Sequence, residues 1–183
     1  MKPYHLFSVF LLLAVTFLPA TAQRYTVADG LISFYSSAPI EDIRAENRKV
    51  ASRLNVATGE VAFSVPINQF QFRKKLMQEH FNEKYMESDK YPHATFSGRI
   101  SGFNPSAAGM QQVQANGMLT IHGVTRPLQV TGSMERREDR LFVNSTFKVK
   151  LADYAIKIPQ LLWQNIAEEV EVTVELWYKP EKP

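Results

Sequence analysis

The residues able to do chemistry are sparse in this sequence. His80 and Glu83 stand three apart in a stretch rich in helix formers, with His93 a short way on, and this is the nearest approach to a metal site. The pattern lacks the His-Glu-x-x-His, paired-cysteine and His-x-His spacings that bring two ligands to one ion, so no metal is expected. Nucleophilic catalysis finds no support either. The chain has no cysteine, no Gly-x-Ser-x-Gly turn and no glycine-rich loop to cradle a phosphate. Glu168 and Glu169 are adjacent carboxylates at the start of a strand, where exposure explains them. The expectation is a protein that is not an enzyme and carries no cofactor of its own.

What remains is binding chemistry around one short segment. Spaced at about 100° per residue, Arg73, Leu76, Met77 and His80 fall in one sector of a helix read over 72–86, with Lys75, Gln78 and Asn82 opposite. The inward sector is then apolar with two polar tips, Arg73 and His80. The run Arg73-Lys74-Lys75 is shorter than the roughly 4–8 basic residues of a lipid-recognition cluster and reads as a solvated helix face. At most a transient membrane contact is expected from it.

The elements that must position this helix are strands. Val113, Ala115, Gly117, Leu119 and Ile121 alternate with polar neighbours, the period-two pattern of a strand with one buried and one wet face. The same pattern returns over 128–135, 141–149 and 170–178, and less cleanly over 30–37, 49–56, 61–67 and 94–103. Thr58-Gly59, the polar stretch 123–127 and Glu138-Asp139 supply the turns of antiparallel neighbours. Eight amphipathic strands suit a sandwich or a barrel. Several run to about ten residues, longer than the usual five or six, which favours a tall closed barrel with the helix capping one mouth. Small inward residues such as Gly117 and Gly132 are compatible with a cavity. Of the aromatics, Phe34, Phe63, Phe96, Phe147 and Trp163 read mainly as core, and Phe63, Phe96, Leu119 and Phe147 are the expected pore lining.

The ends bound the compartment. Lys2, an apolar run over 6–18, Pro19 and Ala20-Thr21-Ala22 form a secretory signal peptide over 1–22, too short for a span of about 20 apolar residues. Residues 23–183 then make one domain, soluble after cleavage and held by packing alone because no disulfide is possible. Without Lys2, 20 of the 21 Lys and Arg residues face 18 Asp and Glu, a balance too even for a nucleic-acid partner.

Two stretches resemble the YceI-like family. One is His80-Phe81 followed by Glu87 to Phe96, with Tyr91-Pro92-His93-Ala94-Thr95-Phe96 at its end. The other is Gly117-Met118-Leu119-Thr120-Ile121-His122-Gly123-Val124-Thr125-Arg126-Pro127. Leu151 and Ala155 depart from the family's Arg-x-Asp-Tyr-Gly pattern, and His122 stands where other polar residues are usual. The resemblance implies an eight-stranded lipocalin-like barrel in the bacterial periplasm. It would hold a polyisoprenoid, an isoprenoid quinone or a prenyl phosphate, in its pore for carriage or storage. His80 matches the family's histidine, and with Arg73 and Met77 it would meet the ligand at the mouth. The alternative is an interaction module with a filled barrel. Oligomeric state is not legible.

Overall fold

The computed structural model describes residues 24–37, 42–158 and 167–181. The signal-peptide reading over 1–22 and Trp163 lie outside them. Ten strand segments form one antiparallel sheet: β1 (Arg24–Ser36), β2 (Ile43–Asn47), β3 (Ala51–Asn55), β4 (Glu60–Pro66), β5 (Gln71–Phe72), β6 (His93–Ser101), β7 (Met110–Ile121), β8 (Val124–Arg137), β9 (Arg140–Lys150) and β10 (Glu169–Pro180). They make eight staves. β2 and β3 lie against β1 in one unbroken count, since Tyr25 faces Leu54 and Ile32 faces Asn47, seven residues on along both. β5 continues beside β2 the stave that β4 forms beside β3. Pairing of β10 with β1 closes the ring. The architecture is thus the closed eight-strand antiparallel barrel with one short helix that the alternation implied.

The differences lie where alternation is interrupted. β1 begins at Arg24, six residues before the expected start, because Ala28 is the extra residue of a bulge between Val27 and Asp29. One extra residue reverses which side chains face inward, so Tyr25 and Ile32 both point into the barrel and period two fails across the join. β2 and β3 meet at a corner that the fully buried Asn47 holds. Its Nδ2 donates to the Pro66 carbonyl at 2.8 Å and its Oδ1 accepts from the Lys49 N–H at 2.7 Å. The stretch 123–127, read as a connection, is mostly strand. His122 and Gly123 alone form the turn, both at positive φ (51° and 75°), as the tight type I′ hairpin requires.

The helix is shorter than expected. α1 spans Lys75–His80 and runs into a π-helical turn over Phe81–Tyr85. Arg73 and Lys74 precede it, Lys74 in extended conformation, so the helical phase is set from Lys75 onward. Leu76 consequently points outward, 61% exposed, while Met77 and His80 are half-buried.

One end of the barrel is packed solid. Tyr25, Leu54, Met134, Leu141, Leu176 and Tyr178 fill it, all 2% exposed or less. Within this floor Ser52 Oγ donates to the Ala62 carbonyl at 2.8 Å, which leaves it to accept from the Tyr178 hydroxyl at 2.6 Å. Burial drives the Tyr178 phenol pKa above its ordinary range, and the Ser52 contact offsets only part of that.

Two outcomes follow for equilibrium unfolding in urea. Tyr178→Phe should cost about 1 kcal/mol, whereas Ser52→Ala strands a buried hydroxyl and should cost about 1–3 kcal/mol. Above pH 10, where an unfolded tyrosine ionises and the buried one stays neutral, the folded state binds more protons. Stability should therefore fall as pH rises through that region, less steeply in Tyr178→Phe.

Candidate functional site: a blind apolar cavity

Above the floor the barrel is hollow. Phe63, Ala115, Leu128, Phe147, Val172 and Val174 point inward yet are only half-buried, because they face a cavity of about 410 Å³. That is within the roughly 300–1,000 Å³ of small-molecule sites. The position of the hollow follows from side-chain size. The floor carries tyrosine, leucine and methionine, whereas Ala94, Ala115, Val174 and Ser145 stand at the upper level. Among the described residues no Asp, Glu, Lys or Arg lines the cavity, and its polar side chains are Ser36, His80, Tyr85, Thr95, Thr131, Asn144 and Ser145. Burial raises the Tyr85 pKa above its ordinary value.

The mouth is partly filled by a cluster of four phenylalanines. Phe81, from the π turn, lies 5.5 Å from Phe34, 5.6 Å from Phe70 and 4.9 Å from Phe72, ring centre to ring centre. Phe72 lies in β5 and Phe70 just before it, and Phe34 comes from β1, so the cluster ties the helix and its π turn to β1 and β5. The rim beyond it is tied by His122. Its Nε2 lies 2.8 Å from a Glu87 carboxylate oxygen, its Nδ1 3.3 Å from the Tyr154 carbonyl, and its ring packs edge-on to Tyr91 at 4.5 Å. The loop after the helix, the β7–β8 turn and the turn at Leu151–Tyr154 are thereby joined at one residue.

Of the side chains singled out from sequence, Phe63, Met77, His80, Phe96, Leu119 and Phe147 all line the cavity. Arg73 is not brought to it; the residue is exposed ahead of α1. The two polar tips expected on one helix face are separated because the helix begins after Arg73. His80 and Glu83 do not form a metal site with His93, which is exposed on β6, and the described residues hold no cluster of three or more His, Asp or Glu suited to an ion.

Gly117 does not enlarge the hollow. It pairs with Gly98, and the Phe96 ring lies over both, so a Cβ at Gly117 would come within 2.7 Å of the ring. Sequence reasoning missed Phe70, Phe72, Phe81 and Tyr85. The alternation of Phe70 and Phe72 was a signal for the first two, too short to separate from a loop.

Comparison with known proteins gives a consistent picture. The family model of the YceI-like domain matches residues 27–178. A polyisoprenoid-binding domain from Saccharophagus degradans, implicated in plant cell wall breakdown, superposes with a TM-score of 0.74 at 18% identity, covering 86% of this chain and 98% of that one. BcnA of Burkholderia cenocepacia gives 0.69 at 16% identity over 81% and 95%, and the YceI protein of Campylobacter jejuni 0.56 at 15% over the whole of both chains. At these identities the likeness is one of fold. No curated protein matches the chain significantly in sequence.

The aromatic cluster makes a test of how the mouth is held. Phe81→Ala should cost about 2–3 kcal/mol by chemical denaturation, below the roughly 3–5 of a fully buried ring. Hydrogen exchange should quicken in α1 and the π turn while the floor strands keep their protection.

Proposed function

Given that the chain belongs to the YceI-like family, we propose that it is a non-enzymatic carrier or store for an apolar isoprenoid lipid, held in the barrel. The observation that carries this reading is the blind cavity, with a solid floor below and almost only hydrocarbon around it. An apolar chain gains about 0.8 kcal/mol for each methylene taken from water. Binding at micromolar strength needs about 8 kcal/mol net. A few isoprene units supply that gross, and a longer tail also covers the cost of association. The S. degradans domain is described as polyisoprenoid-binding, which supports the same ligand class.

His80 and Tyr85, the polar groups beneath the helix, are the residues we assign to the polar end of an isoprenoid quinone or prenyl phosphate. Met77, Phe63, Phe96, Leu119 and Phe147 are assigned to its tail. Arg73, exposed ahead of α1, is at most an outer contact for a headgroup. Export to the bacterial periplasm belongs to the reading through the sequence of residues 1–22. Among the described residues no helix is long and apolar enough to cross a membrane. The cavity speaks against the alternative of a filled barrel serving only as an interaction module.

Protein purified from the periplasm without detergent, extracted with organic solvent and analysed by mass spectrometry, should yield an isoprenoid lipid near one per chain. Ala115→Phe places a ring in the hollow and should lower uptake of all-trans-retinol, a fluorescent diterpenoid, by about tenfold or more. Its folding stability should change by under about 1.5 kcal/mol, since the added ring occupies empty space. Absence of both extracted lipid and retinol uptake would overturn the proposal.

A further inference from the structure

The wall of the cavity is not uniformly hydrogen-bonded. β8 pairs with β7 along most of its length, from Val124 to Glu135, yet with β9 only from Ser133 to Arg137, against Arg140 to Asn144. Among the described residues, the first nine of β8 have no ladder partner on that side, nor do the last six of β9 on theirs. The pairing stops at a pinch. Gly132 lets the strands meet there, for a Cβ would lie 2.5 Å from the Asn144 carbonyl oxygen. One step on, the Ser145 hydroxyl donates to the Thr131 carbonyl at 2.8 Å, taking an acceptor that a ladder would use.

Two features of the sequence keep the seam from zipping. In a two-residue hairpin the residues flanking the turn, Ile121 and Val124, form a hydrogen-bonded pair. Alternation then turns the backbone groups of Thr125, Pro127, Gln129 and Thr131 away from β7 and toward β9. Pro127 has no N–H to offer there, the edge position to which proline in a sheet is confined. Thr131 has its carbonyl already taken. At the rim the gap is spanned by Arg126, whose Nε donates to the Asp153 carbonyl at 3.1 Å.

The cavity reaches this seam. Three consecutive residues of each strand line it, Val130, Thr131 and Gly132 on β8 and Val143, Asn144 and Ser145 on β9, although alternate residues of a closed wall face opposite sides. In the ring of staves the seam lies diametrically across from β2 and β5, and the phenylalanine cluster is on that far side, carried by β5 and by β1 on the other flank of β2. The mouth is obstructed on one side and the wall is unladdered on the other.

We propose that the seam between the first half of β8 and the second half of β9 is the side entrance of the cavity, through which an apolar chain enters and leaves. This rests on the lipid-holding reading above. Among the described residues, opening there breaks no ladder hydrogen bond, whereas the joints on either side of it, β7 with β8 and β9 with β10, are laddered over twelve and ten residue pairs.

The chain has no native cysteine, so the seam can be stapled cleanly. Thr131→Cys with Thr146→Cys places thiols just past the pinch, where Ser145 already reaches across and Cα spacings near the usual ~4.4–6.8 Å of a disulfide are to be expected. The measurement is stopped-flow fluorescence of all-trans-retinol loading onto delipidated protein and its release to vesicles. Oxidation should slow both rates about tenfold or more with Kd unchanged, because an entrance alters association and dissociation together. Reduction should restore them. A second construction needs no disulfide: Gln129→Cys carrying a bulky maleimide should slow both rates, and the same label at Ser97→Cys, exposed on β6, should not.

Rates that are unchanged by the label at Gln129→Cys, or by the staple, overturn the side entrance while leaving the binding reading intact. Retinol that fails to bind the unmodified protein overturns the binding reading itself.

Discussion

The pairing of the first strand with the last is the constraint on which the rest depends. Ten residue pairs run from Tyr25 opposite Pro180 to Tyr35 opposite Glu171. Without them the sheet would have two long edges and its inward face would be one side of a curved sheet, not the inside of a vessel. Closure also sets the floor, since Tyr25 and Tyr178 come from the two strands that meet there. The bulge at Ala28 lets β1 serve both levels, offering Tyr25 to the floor and Ile32 and Phe34 to the hollow above. Because these contacts join opposite ends of the chain, closure must await nearly the whole polypeptide, a topology associated with slow folding.

Given closure, side-chain volume alone divides solid from hollow. Eight staves leave an interior that large residues fill and small ones do not. Leu176 and Tyr178 on β10, Leu141 on β9 and Met134 on β8 fill the lower level. Further along the same strands Val172 and Val174, Ser145 and Val130 leave it open. The empty space forfeits dispersion contacts for its lining, a loss that packing below and the phenylalanine cluster beside it must offset. An apolar occupant would return those contacts, so the same choice of residues that weakens the upper barrel creates its affinity.

How much of this could be read from the sequence depends on how regularly each element alternates. β7, β9 and β10 were legible because one face is wet along their whole length. β1 was legible only beyond its bulge, and β2 and β5 were too short to show a period. α1 begins only at Lys75, so Arg73, grouped with His80 on one helical face, lies outside the helix. Alternation correctly put Phe63, Phe96, Leu119 and Phe147 on the inside. It could not show that the Phe96 ring reaches over Gly98 and Gly117 while Phe63 and Phe147 border open space, because that depends on which neighbour across the sheet is small.

The polar atoms of the cavity sit mainly where the regular wall is interrupted. Along a continuous ladder the backbone is satisfied by its neighbours, and inward side chains can be hydrocarbon without cost. Where the ladder ends at Gly132, a free carbonyl needs a donor, and Ser145 supplies it. Where a helix replaces strand at the mouth, 3.6-residue and π periods turn His80 and Tyr85 inward beside Met77 and Phe81. The cavity is therefore apolar along its laddered staves and polar chiefly at the pinch and under the helix. An amphiphile inside finds hydrogen-bond partners mainly at those places, so the geometry of hydrogen bonding in the wall also sets which parts of a ligand can rest where.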